Sequence, residues 1–356
     1  MLMHLFFTQL FAPKRRKYAL DAHIEIACAN FDGASSAKKR FGMGINMELE
    51  RRLYSLIEDD RIRKEEPLKN HTSFRVGGPA QYFVYVNNTE ELQKAVQICK
   101  EENVPYFMIG NGTNLLVSDE GYRGVVFHLA GDFCKFKVKE SNDTGMAEVE
   151  AGAGMSLVML SLEMAKRGYH GLEFASGIPG TLGGAVVMNA GAYGGEIKDF
   201  LTKAEVLEED GTIKIYTKKE LQLTYRYSIL QRIKGIVTRA WFEFGVGSKL
   251  QMLAQMDSFA KQRREKQPLE FPSAGSTFKR PEGYYAGKLI MEAGLAGAYI
   301  GDAKVSEKHC GFIVNTGNAT AQEIYELIQH VIRTVEEHAG VTLEPEVKFL
   351  GSFIES

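Results

Sequence analysis

Residues 171–196 hold eight glycines in 26 positions and only two charged side chains, Glu173 and Glu196. Glycine loses more backbone freedom on folding than any other residue, so an ordered segment of this kind needs compensation. Flexible linkers are polar and Ser/Gly-rich. This stretch instead interleaves Ile178, Leu182, Val186, Val187 and Met188 with its glycines, which predicts a packed segment with exposed backbone. A large ligand lying flat against that backbone would supply the compensation. A second glycine cluster, Gly110-Asn111-Gly112-Thr113-Asn114, follows a strand-like run at 106–109. There the glycines let N–H groups approach phosphate oxygens, and Thr113 and Asn114 add donors. Leu115 occupies the third glycine position of a Rossmann fingerprint, and no Gly-Lys-Ser/Thr follows, so neither that motif nor a P-loop is present. Two glycine clusters with so little charge suit a dinucleotide with a broad apolar head.

The chain of 356 residues is long enough for two or three domains. Lys and Arg number 43 against 45 Asp and Glu, a net charge of −2, which gives no bulk attraction to nucleic acid or anionic membranes. No apolar run reaches the ~18 residues of a membrane span. Cys28, Cys99, Cys134 and Cys310 are far apart, without a CxxC pair or a histidine at ligand spacing, so reduced thiols are expected and no metal site. Residues 1–46 carry their basic cluster, Lys14-Arg15-Arg16-Lys17, after the apolar stretch, opposite to a secretory signal. They read as a poorly ordered extension, with Met43 or Met47 as alternative starts.

Apolar spacing predicts a helix over 47–60, a strand over 82–86, a helix capped by Thr89, and strands over 106–109 and 125–129, together a β-α-β unit. Glu209-Asp210-Gly211 marks a hairpin between 204–207 and 213–216, and a strand follows over 237–244. A charged helix over 249–266 leads into the last part of the chain. There, helical residues around 289–293 and a strand over 312–315 precede a long helix. Thr320 and Glu323 form its capping box and Gly340 ends it.

Three further constellations could carry chemistry. Tyr225-Arg226-Tyr227-Ser228 sets a guanidinium between aromatics, which alone reads as surface stacking. Ser273-Ala274-Gly275-Ser276-Thr277-Phe278-Lys279-Arg280 puts a hydroxyl among small residues beside two cations. In Leu343-Glu344-Pro345-Glu346-Val347-Lys348-Phe349 the alternation places both glutamates on one face and does not choose between them.

Taken in order, Gly110–Asn114, Gly177-Ile178-Pro179-Gly180-x-x-Gly183-Gly184, Asn189-x-Gly191-Ala192-Tyr193-Gly194, Tyr225-Arg226-x-Ser228, Ala274-Gly275-Ser276-x-Phe278-Lys279 and Leu343-Glu344-Pro345-Glu346-Val347 resemble the UDP-N-acetylenolpyruvoylglucosamine reductase family over roughly residues 68–351. The resemblance implies an α+β fold. A two-part FAD-binding domain of the vanillyl-alcohol oxidase (PCMH) type would span 47–246, split near 130–145. A C-terminal α+β substrate-binding domain would span 247–356.

The resemblance also implies non-covalent FAD reduced by NADPH, hydride delivery from flavin N5 to the enolpyruvyl ether of a UDP-sugar, and proton delivery from Ser276. Arg226 and Glu346 would polarise the enolpyruvyl carboxylate, which selects Glu346 over Glu344. Gly110, Asn111, Gly112, Thr113, Asn114, Gly177, Ile178, Gly180, Thr181, Gly183, Gly184, Asn189, Gly191 and Ala192 would bind the cofactor. Lys266, Lys279, Arg280 and Tyr225 would bind substrate. No loop with a tyrosine clamp follows Trp241, so the chain resembles the shorter subclass, whose motif is echoed in Gly301-Asp302-Ala303-Lys304-Val305-Ser306-x-Lys308-His309. A cytoplasmic monomer in peptidoglycan precursor synthesis is expected, with no nucleic-acid or membrane partner. The alternative is another FAD-dependent oxidase or dehydrogenase of the same flavin fold.

Overall fold

The computed structural model describes residues 47–140 and 145–354; the extension expected over residues 1–46 lies outside them. The first part begins with α1 (Met47–Leu56), which buries Leu49 and Leu53, and continues with β1 (Ile62–Pro67) and β2 (Pro79–Val86). Next come α2 (Thr89–Glu101), β3 (Tyr106–Ile109), β4 (Leu115–Val117) and β5 (Tyr122–Leu129). Asn88, not Thr89, caps α2: its side chain accepts from the Glu91 N–H, and Thr89 becomes the first helical residue. The buried stripe Leu92, Ala95, Val96 and Cys99 is as expected. The sheet order is β1-β2-β5-β3, with β5 parallel to both β2 and β3. The β2-α2-β3 crossover therefore leaves a gap that β5 fills.

The second part holds β6 (Phe136–Glu140), β7 (Met146–Gly152), α3 (Leu157–Arg167) and β8 (Tyr169–His170). The glycine-rich segment packs as a 3-10 turn (Glu173–Gly177), α4 (Leu182–Val187) and a small hairpin of β9 (Gly191–Ala192) and β10 (Gly195–Glu196). Leu182 and Val186 point into the core, as the interleaved apolar residues required. β11 (Leu201–Leu207) and β12 (Ile213–Thr217) form the expected hairpin; α5 (Leu230–Ile233) and β13 (Ile236–Val246) follow. These strands make an antiparallel sheet in the order β12-β11-β13-β7-β6, with β8 on the far end of β13. One apolar cluster, from Leu49 through Phe127 to Phe244, runs through the first and second parts.

β13 passes through Gly247 and Ser248 directly into α6 (Lys249–Lys266), with no loop inserted after Trp241. The third part adds α7 (Ala286–Glu292), β14 (Tyr299–Ile300), β15 (Ala303–Val305), β16 (Ile313–Asn315) and α8 (Ala321–Ala339). Both bonds of the Thr320–Glu323 capping box are present, and Gly340 ends α8 at φ 66°. The last strand, β17 (Lys348–Leu350), returns to the first part and pairs in parallel with β4. Only Lys348 and Phe349 of the alternating run 343–349 belong to that strand; Leu343 and Val347 are buried. Asp119 adds a second tie, accepting from the N–H groups of Ala321 and Gln322 at the start of α8. No helix of the described residues is long and apolar enough to cross a membrane.

Candidate active site

The three parts meet around a cleft of about 4170 Å³. All the site residues expected from the sequence line it except Asn189, Tyr225 and Arg280.

The two glycine clusters lie against each other. The Asn111 amide donates to the Pro179 carbonyl oxygen at 2.7 Å, and a Cβ at Gly110 would stand 2.4 Å from Thr181 Oγ1. Gly112, at φ +58°, would put a Cβ 2.0 Å from the His71 carbonyl oxygen. Protein neighbours, a side chain at Gly110 and backbone at Gly112, thus account for these two glycines. Gly180 and Gly184 are different: a Cβ there would meet protein at no less than 3.5 and 3.6 Å, ordinary contact distances. Their bare backbone lines the cleft and leaves room for a ligand to lie close. Thr181 Oγ1 caps α4 by accepting from the Gly184 N–H. Asn114 ties the loop to the third part, donating to the Glu346 carbonyl oxygen at 3.1 Å while its own carbonyl accepts from the Lys348 N–H.

Arg226 sits at φ +54° in a turn closed by mutual Thr224 and Tyr227 backbone bonds. Asn189 holds that turn. Fully buried, it donates to the Thr224 carbonyl and Glu196, both at 2.9 Å, and accepts from the Lys198 N–H. Its side chain is therefore occupied by protein groups and faces Arg226's turn instead of the cleft. Ser228 Oγ and Gln231 Nε2 both donate to the Val187 carbonyl, fastening the turn to α4.

Arg226 Nε donates to Glu346 Oε1 at 2.7 Å and Nη2 to the Gly191 carbonyl at 3.0 Å. Nη1 has no hydrogen-bond partner among the described residues, so the guanidinium keeps donors for a ligand. Burial pushes the Glu346 carboxyl above the ordinary glutamate value, opposed by Arg226 and, less strongly, by Lys279 and Lys348. Glu344 is exposed and pairs with Lys279.

Ser276 is brought to Glu346 by backbone pairing. Phe278 bridges Pro345, the Glu346 N–H donates to the Thr277 carbonyl, and the Lys279 N–H donates to the Glu344 carbonyl. Ser276 Oγ donates to the Phe278 carbonyl at 3.1 Å. Arg280 stands away from this hydroxyl: it stacks over Tyr285 at 4.0 Å, and its backbone N–H donates to Tyr225 Oη. Lys266 lines the cleft from the last turn of α6.

Arg263, His309 and Lys348 are among the lining residues that were not singled out as site residues from the sequence. Lys348 lies two residues beyond Glu346, and burial together with the Lys279 charge pushes its ammonium below the ordinary lysine value. Strand alternation carried forward from Glu346 would have found it. Burial likewise lowers the His309 imidazole. Arg263 lies in the Arg-Arg-Glu-Lys run of α6, where every position is charged and no periodicity marks the inward one.

Comparison with known proteins bears on the whole cleft. Residues 80–216 match an FAD binding domain, and residues 267–350 match the UDP-N-acetylenolpyruvoylglucosamine reductase C-terminal domain. The chain is 50% identical to the UDP-N-acetylenolpyruvoylglucosamine reductase of Lachnoclostridium phytofermentans over 84% of this chain and 96% of that protein. The enzyme of that name from Caldanaerobacter subterraneus is 47% identical over 84% of this chain and 97% of its own length. The solved structure of the Thermus caldophilus reductase superposes with a TM-score of 0.70 at 39% identity, covering 82% of this chain and all of that one. With both halves of the cleft matched and relatives this similar along most of its length, the chain belongs to the UDP-N-acetylenolpyruvoylglucosamine reductase family.

Proposed function

We propose that Arg226, Glu346 and Ser276 carry the NADPH-dependent reduction of the enolpyruvyl ether of UDP-N-acetylglucosamine enolpyruvate to UDP-N-acetylmuramate, a peptidoglycan precursor. FAD, when bound, takes hydride from NADPH and supplies it to the substrate. Gly180 and Gly184, which offer bare backbone, and Asn111 and Thr113 beside them would hold that cofactor.

The observation that carries the reading is the Arg226–Glu346 pair, joining positions 120 residues apart at the seam between the flavin-binding and C-terminal parts. Adding hydride to the β-carbon of an enol ether is feasible only if the conjugated carboxylate takes up negative charge. The unspent Nη1 donors of Arg226 are preorganised for that charge, the arrangement that lowers such barriers most. Glu346 would repel a carboxylate if fully ionised. Its raised pKa and its bond to Arg226 both reduce that repulsion. Ser276 then supplies the proton to the α-carbon. Its Oγ–H bond breaks, the electron pair stays on oxygen, and bulk solvent restores the proton. Lys266 and Lys279 would meet the substrate's anionic groups. The thiols Cys99, Cys134 and Cys310 are free, in keeping with a reducing cytoplasm as the site of the reaction.

Replacing Ser276 with Ala tests the assignment. Flavin reduction by NADPH should persist while reoxidation by the enolpyruvyl substrate slows roughly 10²–10⁴-fold, the range for a lost general acid. Equal loss in both half-reactions would remove Ser276 from that role.

A further inference from the structure

Behind the first glycine cluster lies a second, smaller cavity of about 270 Å³, lined by Asn70, His71, Ser73, Gly110, Asn111 and His128. His128, on β5, lines the main cleft as well. It pairs with Ile109, the last residue of β3, which sets the imidazole beside the start of the Gly110–Asn114 loop. Its Nδ1 is buried and, alone among the buried side-chain nitrogens and oxygens of the described residues, has no hydrogen-bond partner. Such an atom is costly, and native folds keep few of them. Aromatic rings fix it in place: Phe83 stacks on it at 6.1 Å between centroids, and Tyr85 meets it edge-on at 5.4 Å. Phe83 in turn stacks on His71 at 4.1 Å. The charged and titratable groups around the ring come from three elements. They are His71 of the 3-10 turn Leu68–His71, Glu66 and Arg63 of β1, and Tyr85 of β2. Glu66 bonds His71 Nε2 at 2.8 Å, and the Arg63 guanidinium lies over Tyr85 at 5.2 Å. Burial, and after it the His71 charge, holds the His128 imidazole below the ordinary histidine value. The Gly110 and Ile109 backbone opposes them and favours the charged form, as carbonyl oxygens do.

The loop in front of this ring has donors to spare. Among the described residues no bond uses the backbone N–H of Asn111, Gly112 or Thr113, while the Asn111 side chain is spent on Pro179. Successive free N–H groups in a turn bind anions, and the diphosphate is the anion that FAD brings to such a loop. In a trans peptide the carbonyl oxygen and the N–H point to opposite sides. A Gly110 carbonyl drawn back toward His128 therefore sends the Asn111 N–H forward into the cleft. We propose that His128 is a positioning residue for the cofactor's diphosphate: as an imidazolium it donates to the Gly110 carbonyl, aims the Asn111 N–H at the anion and sets a positive charge behind it. The balance is one proton taken from solvent as FAD binds, with no bond in the cofactor changed. The diphosphate's negative charge raises the imidazole from its lowered value, so between the free and the bound values FAD binding takes up that proton. Affinity then rises as pH falls, by up to about tenfold per pH unit within that window. The inference rests on the FAD reading of the glycine clusters and adds a residue that couples cofactor retention to pH.

The test is the FAD dissociation constant of the full-length holoenzyme, read from flavin fluorescence on dilution between about pH 5 and 8. Wild type, H128N and H71Q are compared, with circular dichroism at each pH confirming the fold. Asparagine keeps a donor near the Nδ1 position and cannot titrate. Wild type should hold FAD about tenfold or more tighter at the acid end, and H128N should vary less than about threefold across the range. H71Q removes the ring whose charge opposes His128, so its rise in affinity should begin at higher pH than in wild type. A wild-type affinity that does not rise toward acid pH overturns the proposal. A rise that survives in H128N overturns it too, and loss of that rise in H71Q would then give the proton to His71. If H128N does not fold, H128Q is judged by the same criterion. A wild-type protein that carries no FAD overturns the flavin reading and this proposal together, whereas FAD bound with a flat pH profile overturns this proposal alone.

Discussion

Replacing Arg226 with Met leaves the Glu346 carboxylate buried opposite an apolar side chain. The two side chains are 20% and 15% exposed, so the pair is not fully desolvated. Breaking a buried pair by removing one partner costs about 3–5 kcal/mol, and the residual exposure puts this one near the lower figure, about 3 kcal/mol at pH 8. The pH dependence is more diagnostic. Burial already raises the folded-state pKa of Glu346 above its unfolded value, and Arg226 supplies the largest opposing effect, so R226M raises it further. A group whose folded pKa is raised contributes its stability below the unfolded value and loses it as pH climbs through the folded one. R226M should therefore lose stability more steeply than wild type as pH rises above the unfolded glutamate pKa, by up to about 1.4 kcal/mol per pH unit within the window between the two pKa values. Urea denaturation at several pH values, with FAD saturating, measures this. R226M/E346Q should be flat over the same range and more stable than R226M at pH 8. If R226M is no steeper than wild type, or the added E346Q change brings nothing back, Glu346 is not a buried carboxylate held by Arg226.

Other substitutions probe the supports of the site. Gly110→Ala would press a methyl group onto Thr181 Oγ1, an overpacking of about 1–3 kcal/mol that should appear as weaker FAD binding, with partial recovery in G110A/T181A; equal FAD affinity in wild type and G110A would contradict the close approach of the two loops. Asn189→Ala would strand the Lys198 N–H and take one of two donors from the Thr224 carbonyl, costing about 2 kcal/mol, and loosen Arg226, so substrate reduction should fall more than flavin reduction in stopped flow. Thr320→Ala would remove the α8 cap and cost about 1 kcal/mol in a urea titration with activity unchanged, since α8 lies outside the reacting groups.

What the sequence discloses here depends on whether local spacing carries the information. Leu92, Ala95, Val96 and Cys99 repeat at helical spacing and are all buried; Thr320 and Glu323 sit at capping-box spacing and bond as such. In both cases the cause is a few residues away. The α2 cap slipped by one residue because Asn88 and Thr89 are both good caps and local composition cannot rank them. The position of β5 between β2 and β3 is a matter of long-range pairing that no window contains. The site divides along the same line. Its glycine clusters announce themselves by composition, although the reason differs from one glycine to the next: Gly110 admits Thr181, Gly177 admits Arg263, and Gly180 and Gly184 admit neither. Arg226 and Glu346 are separated by most of the C-terminal half, and alternation alone could not decide between Glu344 and Glu346. The Phe278–Pro345 bridge separates the two in space: it sets Glu346 beside the Ser276 segment and leaves Glu344 to Lys279 at the exposed rim. Arg263 illustrates the remaining case, since in a run of like-sized charged residues the inward one is defined by what it packs under, and Gly177 lies 86 positions earlier.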